Sequence, residues 1–156
     1  MDPQLVQNIR YKLQKRISRL NSVDSISSFG FTLAQFWKYF DQQDILVGIM
    51  NFLLPQFPEI EQEINLIFQD KKGLYGETEE EAAAIGYHVL RRLIDPKNFS
   101  KIQTIAHQYR RSTDLHEALE CIREIFLEPF YEYVDEQLDD QRAMLALVIR
   151  YGSSPI

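Results

Sequence analysis

Residues 112–151, STDLHEALECIREIFLEPFYEYVDEQLDDQRAMLALVIRY, read as helix almost without interruption, and they decide the fold. Leu127, Tyr131, Val134, Leu138, Gln141, Leu145 and Val148 stand four and three apart, the spacing that aligns one continuous seam on a helix. Gln141 is the only polar member of that seam. Beyond it, residues 143–151 are apolar on nearly every side, more than one neighbouring helix can cover. Such a segment is either sunk in a core or meets a partner.

Working outward, the chain repeats one design. Asp2 and Pro3 open a helix, an acceptor at the cap and a proline where no N–H is needed. Leu5, Ile9, Leu13, Ile17 and Leu20 give it an apolar stripe. Residues 21–30 are rich in Ser, Asn and Asp and read as a loop, after which Thr32 caps a helix carrying Leu33, Phe36, Trp37 and Phe40. Residues 41–44 interrupt it, residues 45–54 resume helically, and Pro55 and Pro58 force a turn. Pro58 opens a helix with Ile60, Ile64, Leu66 and Ile67, which Lys71, Lys72 and Gly73 are expected to end. Thr78 with Glu81 forms a capping box, Asp95-Pro96 a further helix start, and Ser112 or Thr113 the next cap. Pro129 marks a kink or the first position of a final helix. No run of β-branched residues alternates as a strand would. The expected fold is all-α, a compact bundle of seven or eight helices ending in a long C-terminal helix, with 1–151 one domain and 152–156 a flexible tail.

Length and composition fit that picture. With 156 residues, 45% hydrophobic and 26% charged, the chain can bury a full core without staples. Cys121 is the single cysteine, so no internal disulfide or cysteine metal knuckle can form. The start lacks a secretory signal, and no apolar run approaches a membrane span. A cytoplasmic protein is expected.

Charge is uneven along the chain. Residues 1–20 carry Arg10, Lys12, Lys15, Arg16 and Arg19 against Asp2, a net of +4, whereas residues 112–141 carry ten acids against Arg123, a net of −9. These are the wet faces of amphipathic helices, or the first helix packs beside the acidic long one, within a molecule or between two. The overall net charge of −6 argues against a general nucleic-acid binder.

Catalytic and metal patterns are sparse. His88, His107 and His116 have Ile85, Thr104 and Thr113 three residues before them, where a helical metal site needs glutamate. The loop of residues 73–76 precedes Glu79-Glu80-Glu81, which repels phosphate, so no nucleotide site is read there. Carboxylates Glu128, Glu132, Asp135, Glu136, Asp139 and Asp140 lie along a regular helix and cannot converge on one ion. Cys121 reads as a small core residue. No metal or cofactor is expected.

Arg111 and His116, with four residues between them, resemble the motif of HEPN-type ribonucleases, small all-α domains that pair two such motifs across a dimer. That resemblance implies Arg111 holding a phosphate while His116 moves a proton at the ribose hydroxyl. Ser112 departs from the Asn, Asp or His usual after the arginine, and the motif straddles a cap. Residues 129–151 resemble helical segments of bacterial multi-domain proteins, in non-catalytic regions ahead of an effector domain, some acting in anti-phage defence. That resemblance covers about a seventh of the chain and implies an assembly module, with no functional residues carried over.

The expected function is therefore non-enzymatic: a helical module that binds protein, either itself as a homodimer or larger assembly, or an effector domain. Its surface would be Leu138, Gln141, Met144, Leu145, Leu147, Val148 and Tyr151, with Gln141 setting register. The competing readings are an intramolecular seam packed against the first helix, a ribonuclease using Arg111 and His116, and an anionic-surface or nucleic-acid binder using Arg10, Lys12, Lys15, Arg16 and Arg19.

Overall fold

The computed structural model describes residues 1–71, 73–111 and 114–152, and among these it contains eight α-helices and no strand. Helix α1 (Pro3–Ser22) begins as its sequence dictates, with Asp2 Oδ1 accepting from the Gln4 amide at 2.9 Å. Its buried stripe is Val6, Leu13, Ile17 and Leu20, with Val6 in the place expected for Leu5, which is exposed.

Helix α2 (Ile26–Asp41) starts well before Thr32, because the Ser25 hydroxyl accepts from the Ser28 amide and caps the helix there. The expected loop over 21–30 therefore shrinks to a few residues. Gly30 lies inside α2, where the Phe99 ring comes so close that a Cβ would stand 2.3 Å from it and the ring would have to shift. Helix α3 (Asp44–Leu53) follows, then a 3₁₀ turn (Leu54–Gln56) at Pro55.

Helix α4 (Ile60–Phe68) starts two residues after Pro58 and ends earlier than the Lys71–Gly73 signal suggests. Asp70 takes a left-handed φ of 57°, its amide donates to Ile67, and the Lys71 amide donates back to Leu66 at 3.0 Å. That is the glycine-type helix stop, made by an aspartate. Lys72 lies outside the described residues.

Helix α5 (Glu79–Arg92) is capped by Thr78 Oγ1, which accepts from the Glu81 amide. Asp95-Pro96 opens only a 3₁₀ turn (Pro96–Asn98), and α6 (Lys101–Tyr109) follows. Helix α7 (Leu115–Ile122) is capped by Asp114, whose carboxylate accepts from the His116 amide; Ser112 and Thr113, the caps read from sequence, lie outside the described residues.

Helices α7 and α8 (Glu128–Tyr151) form one helical run joined by a π turn (Arg123–Leu127). Pro129 has no N–H to give to Ile125, and its ring would press on that carbonyl. The π turn resolves this by widening the helix just ahead of the proline, the Glu128 amide reaching back five residues to Arg123. The run ends where Gly152 takes a φ of 73°.

This run is the spine of the bundle. Helices α1, α3 and α5 pack on α8, α5 also crosses the π turn, and α6 lies along α7. Phe36, Trp37, Phe40, Tyr87 and Phe130 interlock by ring contacts at the centre, and the Trp37 indole donates to Leu90 O at 3.1 Å. Helix α5 approaches the spine so closely that a Cβ on Gly86 would stand 2.2 Å from the Phe126 carbonyl oxygen.

Gly86→Ala is accordingly expected to lower stability by about 1–3 kcal/mol through overpacking, although alanine ordinarily favours a helix by roughly 0.5–1 kcal/mol. Denaturant unfolding of the variant measures this; unchanged or increased stability would contradict the close approach.

Candidate functional site

Helix α1 runs antiparallel to α8. At one end Arg10 grips Asp135 with two N–H groups, at 2.9 and 3.1 Å, and reaches Asp139 at 2.9 Å with a third. At the other, Arg123 of the π turn donates to the Leu20 carbonyl at 3.0 Å and to that of Val23. The basic first helix thus packs beside the acidic long helix within one molecule, and part of the expected wet face of α8 is an ion-pair network. Arg142 completes the network by donating to the same Asp139 oxygen at 3.2 and 3.0 Å.

The register explains where cover stops. Arg10 sits opposite residues 135–139, so Pro3, seven residues earlier, lies opposite about residue 144. Nothing of α1 remains to cover the rest of α8. Val134 and Leu138 are fully buried, whereas Met144, Leu147, Val148, Ile149 and Tyr151 are 50 to 69% exposed.

The expected interface residues therefore divide. Leu138 belongs to the molecule's own core, which corrects its assignment to an interface. Leu145 is half-buried against that core. Gln141 is exposed and lines a cleft with Ile49 and Phe52 of α3, so within the monomer it is not the buried polar group of a seam. Met144, Leu147, Val148 and Tyr151 are free apolar surface. Leu5 on the first turn of α1 and Phe52 on α3 are exposed too, Phe52 in the cleft that Tyr133, Gln137 and Gln141 of α8 line. Sequence reasoning missed Phe52 because its neighbour Gln141 is remote in the chain.

The basic face of α1 also divides. Arg10 is used by α8, Lys15 lies 4.7 Å from the centre of the Tyr11 ring, and Arg16 stacks 3.9 Å from that of Tyr39. Lys12 and Arg19 are exposed.

Of the chemical candidates, Arg111 stands outside any helix and His116 in the first turn of α7, 3.2 Å from Glu120. Cys121 is buried, its thiol 3.7 Å from the Ala106 carbonyl, and burial pushes its pKa up, as for a packed core thiol. Tyr109 holds residues 73–76 in place, its hydroxyl accepting from Leu74 N and donating to Leu74 O at 2.8 and 2.9 Å; burial pushes its pKa up to about 12. Among the described residues no group of three or more His, Cys, Asp or Glu could hold a metal ion.

No family model matches the chain, and neither a curated protein nor a solved structure matches it.

The ion-pair network is pH-sensitive in a definite direction. Hydrogen bonds from Arg142, and then the charge of Arg10, hold the Asp139 carboxyl below its ordinary 3.8. A depressed carboxyl stabilises the fold above its unfolded pKa and loses that contribution as pH falls through the folded value. Below pH 3.8 the native chain should therefore lose more stability than an Arg10→Met, Arg142→Gln double variant. Equilibrium unfolding on either side of that pH measures it; identical acid losses would remove Asp139 from the network.

Proposed function

We propose that this chain is a helical protein-association module, and that it associates with a second copy of itself through the free end of α8. The observation that carries this reading is the seam itself. On the face of α8 that is core at Val134 and Leu138, Leu145 is already only half-buried, and around it Met144, Leu147, Val148 and Tyr151 stand exposed on the flanking sides of the helix. Beyond Met144 the helix runs roughly 10 Å further, apolar on nearly all sides.

The energetics favour covering that end. Burying one such side chain contributes about 1.5–3 kcal/mol, and Met144, Leu147, Val148, Ile149 and Tyr151 all stand exposed at this end. The resemblance of residues 129–151 to non-catalytic segments ahead of effector domains in bacterial multi-domain proteins supports an assembly role. A lone, buried, unpaired thiol suits the reducing cytoplasm, where we place it. Among the described residues no helix is long and apolar enough to cross a membrane.

Light scattering on a sizing column, across about a tenfold range of concentration, should give a mass approaching twice 18.4 kDa. Val148→Asp places a charge on the patch without touching the core, and should weaken association at least about tenfold with unchanged helicity. A strict monomer at every concentration, or an unaffected variant, would overturn self-association.

A further inference from the structure

We infer that the cleft between α1 and α2 binds the diphosphate group of a small molecule, with Arg16, Arg19 and Lys38 supplying the complementary charge. The cleft has a volume of about 350 Å3, within the range of small-molecule sites, roughly 300–1,000 Å3. Among the described residues its lining holds those three cations and no carboxylate. That is unusual for this chain, which has a net charge of −6. Elsewhere Arg10, Arg91, Lys101, Arg110 and Arg142 each lie against an aspartate or glutamate. Among the described residues none of the three cleft cations forms such a pair. Like charges gathered in a concavity repel one another and focus an attractive field on anions.

The site is also partly assembled. Arg16 is held by its stack on the Tyr39 ring, and its one hydrogen bond among the described residues is a long one, 3.4 Å to the Lys12 carbonyl. Most of its N–H groups are therefore available to a phosphate, whose oxygens match a guanidinium fork. The Tyr39 side chain lines the cleft, and its hydroxyl is buried with no partner among the described residues. Burial raises its pKa, so it remains a donor at neutral pH. Thr32 and Gln35, from the same helix as Lys38, add neutral donors.

Charge sets the ligand class. A terminal phosphate carries about −1.5 to −2 at pH 7 and the inner phosphate of a diphosphate adds one charge, so a diphosphate offsets three cations and a single phosphate does not. Convergence of the cations in a concavity, instead of their spacing along a groove, fits a compact ligand over a nucleic-acid backbone. The cleft is on the later half of α1, away from the apolar end at Leu5, so this inference stands apart from self-association.

Isothermal titration calorimetry with sodium pyrophosphate, and separately with ADP, tests it on the full chain. One site per chain is expected. Arg19→Gln and Lys38→Gln should each weaken binding about tenfold or more, the size of one charge-assisted hydrogen bond. Lys15→Gln removes the same charge outside the cleft and should leave affinity unchanged, with melting curves confirming that every variant folds. Binding of both probes assigns a nucleotide-type ligand, and binding of pyrophosphate alone an inorganic one. No heat up to about 1 mM probe, an equal loss in Lys15→Gln, or tighter binding to a single-stranded RNA oligomer that depends on Lys12 and Lys15 would overturn it.

Discussion

The structure depends on keeping residues 115–151 helical through a proline. A proline inside a helix forfeits one hydrogen bond and crowds the carbonyl four residues back, and here the π turn at Arg123–Leu127 absorbs both effects. The bulge carries two further functions. It aims Arg123 at the free carbonyls closing α1, and it brings the backbone at Phe126 against Gly86 of α5. One local adjustment thus fixes how both α1 and α5 sit on the spine. A break at Pro129 would separate α7 and α6 from the helix that organises everything else.

Given that spine, the unequal lengths of α1 and α8 dictate the surface. The antiparallel register set by Arg10 and Arg123 uses up α1 at about residue 144. The apolar seam of α8 runs on, and the molecule presents hydrophobic helix there. The later half of α1 meets α2, and there the chemistry reverses: cations gather without acids around a cleft. Two faces of opposite character follow from one helix pair.

Much of this was legible in the sequence. The four-and-three spacing through Leu138 is a local property, and so are the caps at Asp2 and Thr78, whose side chains bond to amides within three residues. The errors came where tertiary packing overrode local signals. Gly30 reads as a loop residue but serves α2 as the place where Phe99 fits. Asp70 adopts a backbone conformation that favours glycine, so the local signal points to Gly73 while the helix stops three residues earlier. Asp95-Pro96 repeats the opening of α1 yet yields one turn before the chain bends. The direction of the α8 face could be read, but the point where its cover ends could not, because that depends on which helix lies opposite and in what register. Lys38 and Phe52 are not legible for the same reason, since each joins its surface only through a neighbouring helix.

The central claim is that the end of α8 is open in the monomer and covered on association. Amide hydrogen exchange of residues 144–151, followed from dilute to concentrated protein, tests it most directly. The account predicts rapid exchange of this segment when dilute and progressive protection as concentration rises, with the amides around Leu138 slow throughout. Slow, concentration-independent exchange at the lowest concentration would mean that the molecule covers this end itself. Rapid exchange at every concentration would mean that nothing in a second copy covers it, and either result would contradict the account.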